Sequence, residues 1–87
     1  GYIIDSLGWA LFKLKKYKEA KEYLQLAVRI MPSDPIVNDH FADSLWMNNK
    51  PVQARYFWNY ALSLEKTDEK LKKIINQKLL EGLKKKS

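Results

Sequence analysis

Residues 7–32 read LGWALFKLKKYKEAKEYLQLAVRIMP, and the spacing of their apolar side chains decides what kind of fold to expect. Apolar residues recur at three- and four-residue steps before Lys15 and again at Ala20, Leu24 and Ala27. Such steps place the apolar side chains on one face of an α-helix. Since only a short polar break separates the two segments, they predict an antiparallel helical hairpin.

The same spacing continues through most of the chain and predicts an all-α fold without strands. Asp34 is a suitable N-cap before Pro35, the pair Asn48 and Asn49 suits a left-handed helix end before Pro51, and Thr67 is a plausible N-cap for a last helix. Together these signals predict five helices, at roughly 2–14, 18–31, 35–48, 51–65 and 68–84.

An internal repeat is expected, and two spacings compete for it. The tripeptide Asp-Ser-Leu occurs at 5–7 and 43–45, an offset of 38 in the numbering, whereas the helix boundaries indicate an offset of 34. Identities do not separate the two, but side-chain size does. At offset 34 Gly8 corresponds to Ala42, while at offset 38 it would correspond to Trp46. A tryptophan in a close helix crossing overpacks it, typically by about 1–3 kcal/mol. The repeat therefore follows the shorter offset, and the two Asp-Ser pairs share no chemistry.

A 34-residue helix–turn–helix unit resembles the tetratricopeptide repeat. In the first unit the likeness rests on Leu7, Gly8, Leu11, Tyr17, Ala20, Leu24, Ala27 and Pro32. In the second it rests on Phe41, Ala42, Leu45, Ala54, Trp58 and Ala61. The second unit is more divergent, because Pro51 replaces the signature tyrosine and Lys66 the terminal proline. In amino-acid sequence, both units are similar to the last repeats of long bacterial arrays of this family.

The resemblance implies a right-handed superhelical stack of two hairpins followed by a C-terminal capping helix. It divides the chain into repeat 1 at 1–34, repeat 2 at 35–68, and a capping helix with a basic tail at 69–87. Leu71, Ile75 and Leu79 should dock the last helix, because they lie one repeat length after apolar positions of the third. Its lysines, Lys78 among them, are expected on the outer surface, as a terminal cap requires. Ile3 and Ile4 open the chain without a polar cap, as expected of an array cut from its N-terminal repeats.

The resemblance further implies a protein-interaction scaffold that binds a peptide segment or protein surface in a groove lined by the first helix of each hairpin. The positions it selects are Tyr2, Asp5, Trp9, Phe12, Asp39, Asp43, Trp46, Met47 and Leu80. Phe12, Trp46 and Leu80 follow one another at the repeat length and predict an aromatic and apolar ladder beside a row of three aspartates. A partner with apolar anchors and some basic character would suit this surface. Burial of the aromatic rings against neighbouring helices is the alternative.

Two other functions remain open at this point. The net charge of +6 is concentrated in residues 69–87, which carry +5. The lysines of 70–73 and 84–86 are therefore candidates for nucleic acid or an anionic membrane surface, although a solvated cap explains them as well. The second possibility is self-association of the chain through its uncapped first repeat.

Enzymatic and cofactor functions find little support in the sequence. His40 is the single histidine and there is no cysteine, so neither a metal-ligand cluster nor a disulfide is expected. No nucleophile comes with supporting partners, and no run of 18 apolar residues could span a membrane. Carboxylate-clamp binding, known in this family, is not expected because Asp5 and Trp9 occupy the clamp positions. We expect a protein or peptide partner, no cofactor and no small-molecule substrate; the sequence predicts no cellular location.

Overall fold

A computed structural model describes residues 2–83 and contains five helices within them. They are α1 (Tyr2–Lys13), α2 (Tyr17–Ile30), α3 (Pro35–Met47), α4 (Pro51–Ser63) and α5 (Glu69–Glu81). Each helix packs against the next one along the chain, and α1 also meets α3. No strand occurs in the described part of the chain. The prediction of an all-α stack of helical hairpins is confirmed, with helix ends within three residues of those expected.

The two hairpins turn in the same way, at positions separated by one repeat length. Lys15 and Asn49 each adopt a left-handed backbone conformation, with φ of 65° and 63°. The following residues, Lys16 and Lys50, donate their backbone N–H to the carbonyl oxygens five residues earlier, at 3.0 and 2.9 Å. This is the hydrogen-bond pattern of a Schellman helix end. The turn geometry therefore repeats although the residues at its left-handed position differ.

The buried residues of α2 and α4 follow the same spacing. Three pairs of fully buried residues correspond at the repeat length: Ala20 with Ala54, Leu24 with Trp58, and Ala27 with Ala61. Gly8 is buried in α1, and a Cβ built on it would lie 2.7 Å from the Cγ of Leu24. Small side chains therefore stand where helices approach closely, and large ones fill the space between them.

Helix α5 docks through the face that the repeat spacing predicts. Ile75 is fully buried, and Leu71 and Leu79 pack half-buried against the same core. Its N-cap differs from the prediction. Asp68 caps it by accepting a hydrogen bond from the backbone N–H of Leu71 at 2.8 Å, while Thr67 is buried and donates to the carbonyl oxygen of Ala61. A threonine turned toward the end of α4 cannot also cap α5.

The last helix ends earlier than expected. Gly82 follows Glu81 with φ of 70°, a left-handed conformation that a glycine adopts without strain. Residue 84, the predicted end of this helix, lies outside the described residues. Within 2–83, no helix is both long and apolar enough to cross a membrane.

Candidate functional site

Helices α1 and α3 bring three flat side chains into one stack. The indole of Trp9 lies parallel to the ring of Phe12, with centroids 4.8 Å apart, and parallel to the imidazole of His40, with centroids 4.0 Å apart. We call Phe12, Trp9 and His40 the ring stack. All three side chains are half-buried. Phe12 also meets the edge of Tyr17, at 5.1 Å between centroids. The ring stack thus spans two helices and keeps part of its apolar surface in contact with solvent.

A polar contact between α1 and α3 fixes the orientation of the stack. Nδ1 of His40 lies 3.0 and 3.2 Å from the two carboxylate oxygens of Asp5, which is itself buried. Because Asp5 belongs to α1 and His40 to α3, the pair holds the two helices together beside the rings. His40 is therefore a half-buried structural residue whose ring is positioned from two sides.

Two more aspartates are enclosed by a lysine from α5. Nζ of Lys78 lies 2.9 and 3.2 Å from the carboxylate oxygens of Asp39 and 3.0 Å from both oxygens of Asp43. Asp43 also accepts a hydrogen bond from Nε1 of Trp58 at 3.1 Å. The two aspartates are 5% and 2% exposed, so this acidic cluster lies almost entirely out of water. We refer to Asp39, Asp43 and Lys78 as the buried charge cluster.

Burial changes the proton affinity of the cluster. It raises the pKa of Asp43 to about 7, helped by the neighbouring charge of Asp39 and opposed by Lys78 and the indole of Trp58. Burial opposes the charge on Lys78 too, but the two carboxylates outweigh it and raise the pKa of Lys78 above its ordinary value. With two carboxylates and one ammonium, the fully ionised cluster has one uncompensated negative charge, which a proton on Asp43 removes at pH values below about 7.

Trp46 is covered by the chain that follows α5. Its Nε1 donates to the carbonyl oxygen of Leu83 at 3.0 Å, and the guanidinium of Arg55 lies 5.5 Å from its ring centroid. Gly82 rests so closely on the indole that a Cβ there would overlap the ring of Trp46. The indole is accordingly half-buried, with its polar atom used inside the chain.

The predicted binding residues fall into three groups. Trp9 and Phe12 meet in the ring stack, whereas Asp5, Asp39, Asp43 and Trp46 are paired with other residues of the chain. Tyr2 and Leu80 are exposed, at 64% and 84%, and Met47 is half-buried. The hydroxyl of Tyr2 donates to Asp34 at 3.0 Å, and this contact raises the pKa of the phenol.

The expected open row of aspartates requires correction. Each of the three carboxylates is buried and paired inside the chain, because α3 supplies His40 and α5 supplies Lys78. The expectation that Lys78 lies on the outer surface is also wrong, since its side chain turns inward. A signal for this is present in the sequence: Lys78 directly precedes Leu79, one of the residues predicted to dock α5. An ammonium group next to the docking face of α5 can reach carboxylates that would otherwise be buried without partners.

The lysine segments have different environments. Lys70 and Lys73 are exposed, and Lys72 lies 3.5 Å from Glu69 on the same helix. Lys84, Lys85 and Lys86, predicted as part of a basic tail, lie outside the described residues. Across residues 2–83, no group of three or more His, Cys, Asp or Glu side chains is arranged to hold a metal ion.

Comparison with known protein families agrees with the helical hairpin. The tetratricopeptide repeat family model matches residues 2–34, which comprise α1, α2 and the turn that follows. Searches of curated proteins and of solved structures gave no match. Repeats of this family serve as general scaffolds for protein interaction. Residues 2–34 are therefore similar to a tetratricopeptide repeat, and they belong to an all-helical stack of hairpins.

Proposed function

We propose that this chain binds a segment of another protein across α1 and α3, with the ring stack as the anchor site. The coarser role, a protein-interaction scaffold, follows from the repeat itself. The finer proposal assigns the first contacts to Trp9 and Phe12 and keeps Tyr2, Met47 and Leu80 as further contacts that the sequence predicts.

One observation carries this proposal: the ring stack lies between two helices and stays partly exposed. Trp58, by contrast, is fully buried and belongs to the core. Aromatic side chains in such partly buried positions dominate the energy of many protein interfaces. Trp9 is already sandwiched between two rings, and His40 is held by Asp5, so little side-chain freedom remains to be lost on binding.

The paired aspartates change the kind of partner that we expect. Since Asp5, Asp39 and Asp43 already have cationic or imidazole partners, they offer little attraction to a basic peptide. Apolar anchors in the partner therefore matter more than its charge. A segment that presents a leucine, methionine or aromatic side chain to the ring stack fits this surface best.

We also propose the division into repeats that the sequence suggests. Residues 35–68 would form a second, more divergent repeat, and residues 69–87 a capping segment. Support comes from the buried pairs Ala20 with Ala54 and Leu24 with Trp58, and from the left-handed turns at Lys15 and Asn49.

A matched pair of variants tests the binding proposal. Partners captured from native lysate on the full chain would be identified, and their affinity measured for Trp9→Ala and for Tyr56→Ala. Tyr56 is an exposed aromatic residue of α4, away from the ring stack. We expect Trp9→Ala to weaken binding by about thirtyfold, as for an interface hot spot, and Tyr56→Ala to leave it within about twofold. Equal affinities for the wild type and the folded Trp9→Ala chain would overturn the proposal.

Self-association is a second candidate because α1 exposes several apolar side chains. Ile3 is 84% exposed, and Leu7 is 45% exposed. Leu14, in the turn after α1, is 67% exposed. A second copy of the chain could cover them. Light scattering over a wide concentration range tests this: a dimer that Ile3→Glu dissociates would support it, and a monomer at every concentration would exclude it.

A further inference from the structure

Helix α5 and the two residues after it contact part of the surface that the sequence assigns to partner binding. Lys78 reaches Asp39 and Asp43, and Leu83 reaches Trp46. Three of the predicted binding residues therefore already have a partner within their own chain. The nature of these contacts indicates which segment of another protein could replace α5 and the two residues after it.

The contacts form two polar anchors at a fixed spacing. At the first, the ammonium of Lys78 sits between two carboxylates at 2.9–3.2 Å. Four residues later, Gly82 ends the helix against the indole of Trp46, and that indole donates to the carbonyl oxygen of Leu83 at 3.0 Å. The anchors thus recognise a lysine, then a glycine that permits close approach, then a residue whose carbonyl is free to accept.

Apolar packing of α5 involves one fully buried side chain and the half-buried Leu71 and Leu79. Ile75 is the one fully buried residue of this helix, whereas Ile74 is 44% exposed and Leu80 84% exposed. Arg55 of α4 adds a further polar contact by donating to the carbonyl oxygen of Leu79 at 2.5 Å. One fully buried and two half-buried apolar side chains, together with directional polar contacts to α3 and α4, hold α5 as a docked helix.

We infer that the α3–α4 face is a binding site for a helix end of the form Lys-x-x-x-Gly-apolar, that α5 is its resident intramolecular ligand, and that a partner segment with the same pattern displaces α5. This inference rests on the proposed function only in taking the chain to bind protein segments, since it concerns a different face from the ring stack. In this chain the pattern is Lys78-Leu79-Leu80-Glu81-Gly82-Leu83.

The tether between α4 and α5 favours the resident helix. A short flexible link gives an attached ligand an effective concentration of about the millimolar range. An external helix at micromolar concentration therefore competes poorly, unless the contacts of α5 are weakened or the external helix binds the face more tightly than α5 does. The surface is accordingly closed to weak ligands and open to segments that satisfy both anchors better.

A peptide added to the full chain tests the inference. The probe is a fluorescent peptide with the sequence of residues 67–83, and a second peptide carries Lys78→Met. The chain variant Lys78→Met loses the ammonium but keeps a similar apolar stem, which weakens its own α5. We expect this variant to bind the unchanged peptide about tenfold or more tightly than the Lys78→Met peptide, the size expected for charge-assisted hydrogen bonds.

Controls make each outcome decisive. The wild-type chain and the Lys73→Met chain, whose altered residue is an exposed lysine of the same helix, should bind the unchanged peptide at least about tenfold more weakly than the Lys78→Met chain, because their α5 stays in place. If the Lys78→Met chain binds both peptides equally, or binds neither, the inference is wrong.

A second variant guards against loss of the fold. Gly82→Ala places a Cβ into the ring of Trp46 and strains a left-handed backbone, yet it leaves the buried charge cluster unchanged. It too should admit the unchanged peptide, and failure to do so while folded would contradict the inference. Neither peptide measurement depends on Trp9, so the ring-stack proposal and this one can fail independently.

Discussion

Gly8 shows how a single residue determines the distance between two helices. Its missing side chain lets α1 approach α2 until Leu24 fills the space, with the Cγ of Leu24 only 2.7 Å from where a Cβ would lie. Leu24 is fully buried and has little room to move. A small residue is therefore needed at position 8 for a structural reason, in agreement with its correspondence to Ala42 in the sequence.

We expect the effect of Gly8→Ala to depend on its neighbour. In the wild-type chain the added methyl overpacks Leu24, and this cost of about 1–3 kcal/mol exceeds the gain of about 1 kcal/mol in helix propensity. In a Leu24→Ala chain, which itself loses about 2–5 kcal/mol, the methyl enters a vacated space, so Gly8→Ala should stabilise. Urea unfolding of the four chains measures this, and the same sign in both backgrounds would refute the packing account.

The raised pKa of Asp43 predicts that the stability of the fold changes with pH in a definite direction. This pKa is raised from 3.8 in the unfolded reference to about 7 in the fold. At pH values between these two, the folded chain holds a proton on Asp43 that the unfolded chain has lost. The contribution of this proton to the free energy of unfolding is complete below about pH 4 and is lost as the pH rises through about 7. Asp43→Asn should remove this dependence, because the amide oxygen can still accept from Trp58 and Lys78.

Denaturation of both chains at pH 5 and pH 8 checks this prediction. The wild type should lose more stability between the two values than Asp43→Asn does, and the difference isolates Asp43 from other titrating groups. Asp39→Asn should reduce the pH dependence in part, since the charge of Asp39 contributes to the raised pKa. Identical pH profiles for wild type and Asp43→Asn would count against a shared proton in the cluster.

At the scale of elements, the two aspartate caps differ in the number of groups that they satisfy. Asp34 accepts from the backbone N–H groups of Ile36 and Val37, at 2.9 and 3.0 Å, and from the hydroxyl of Tyr2. Asp68 accepts from one backbone N–H, that of Leu71. The first cap also connects α1 to α3, because Tyr2 belongs to α1.

We therefore expect Asp34→Ala to destabilise the chain more than Asp68→Ala. Loss of an N-cap costs about 0.5–2 kcal/mol, with the larger value expected where more donors are left without an acceptor. Chemical denaturation of the two variants measures the order. A larger loss for Asp68→Ala would mean that α5 contributes more to global stability than its single fully buried residue suggests.

Most of the element structure can be predicted from the sequence, and the exceptions have local causes. Apolar spacing and the Pro35 and Pro51 signals locate the helices, since periodicity and proline act within a few residues. The predicted cap of α5 is wrong because Thr67 and Asp68 are both good caps. Only the packing of Thr67 against the end of α4 separates them.

For the whole molecule, the sequence does not predict how the side chains around the candidate site are paired. The helical spacing within α1 places Trp9 and Phe12, three residues apart, on one face. This spacing cannot show that His40 completes the stack or which carboxylates Lys78 meets, because those contacts join side chains far apart in the sequence. These polar pairings depend on how α1 and α5 finally pack against α3.

The charge pairing predicts how binding responds to salt. Since the three aspartates of the surface are already paired, partner affinity should change by less than about threefold between about 50 and 300 mM NaCl, a range over which exposed ion pairs are strongly screened. Binding to nucleic acid through lysines would fall far more steeply. A steep salt dependence of the captured partner would favour the electrostatic alternative.

The three tryptophans offer a test of where a partner binds. Trp9 lies in the partly exposed ring stack, Trp46 under Gly82 and Leu83, and Trp58 in the core. Titration of the ¹⁵N-labelled full chain with the binding segment of a captured partner, followed through the indole N–H signals, distinguishes these environments. Binding across α1 and α3 predicts a large shift for Trp9 and almost none for Trp58. An unmoved Trp9 signal at saturation would contradict it.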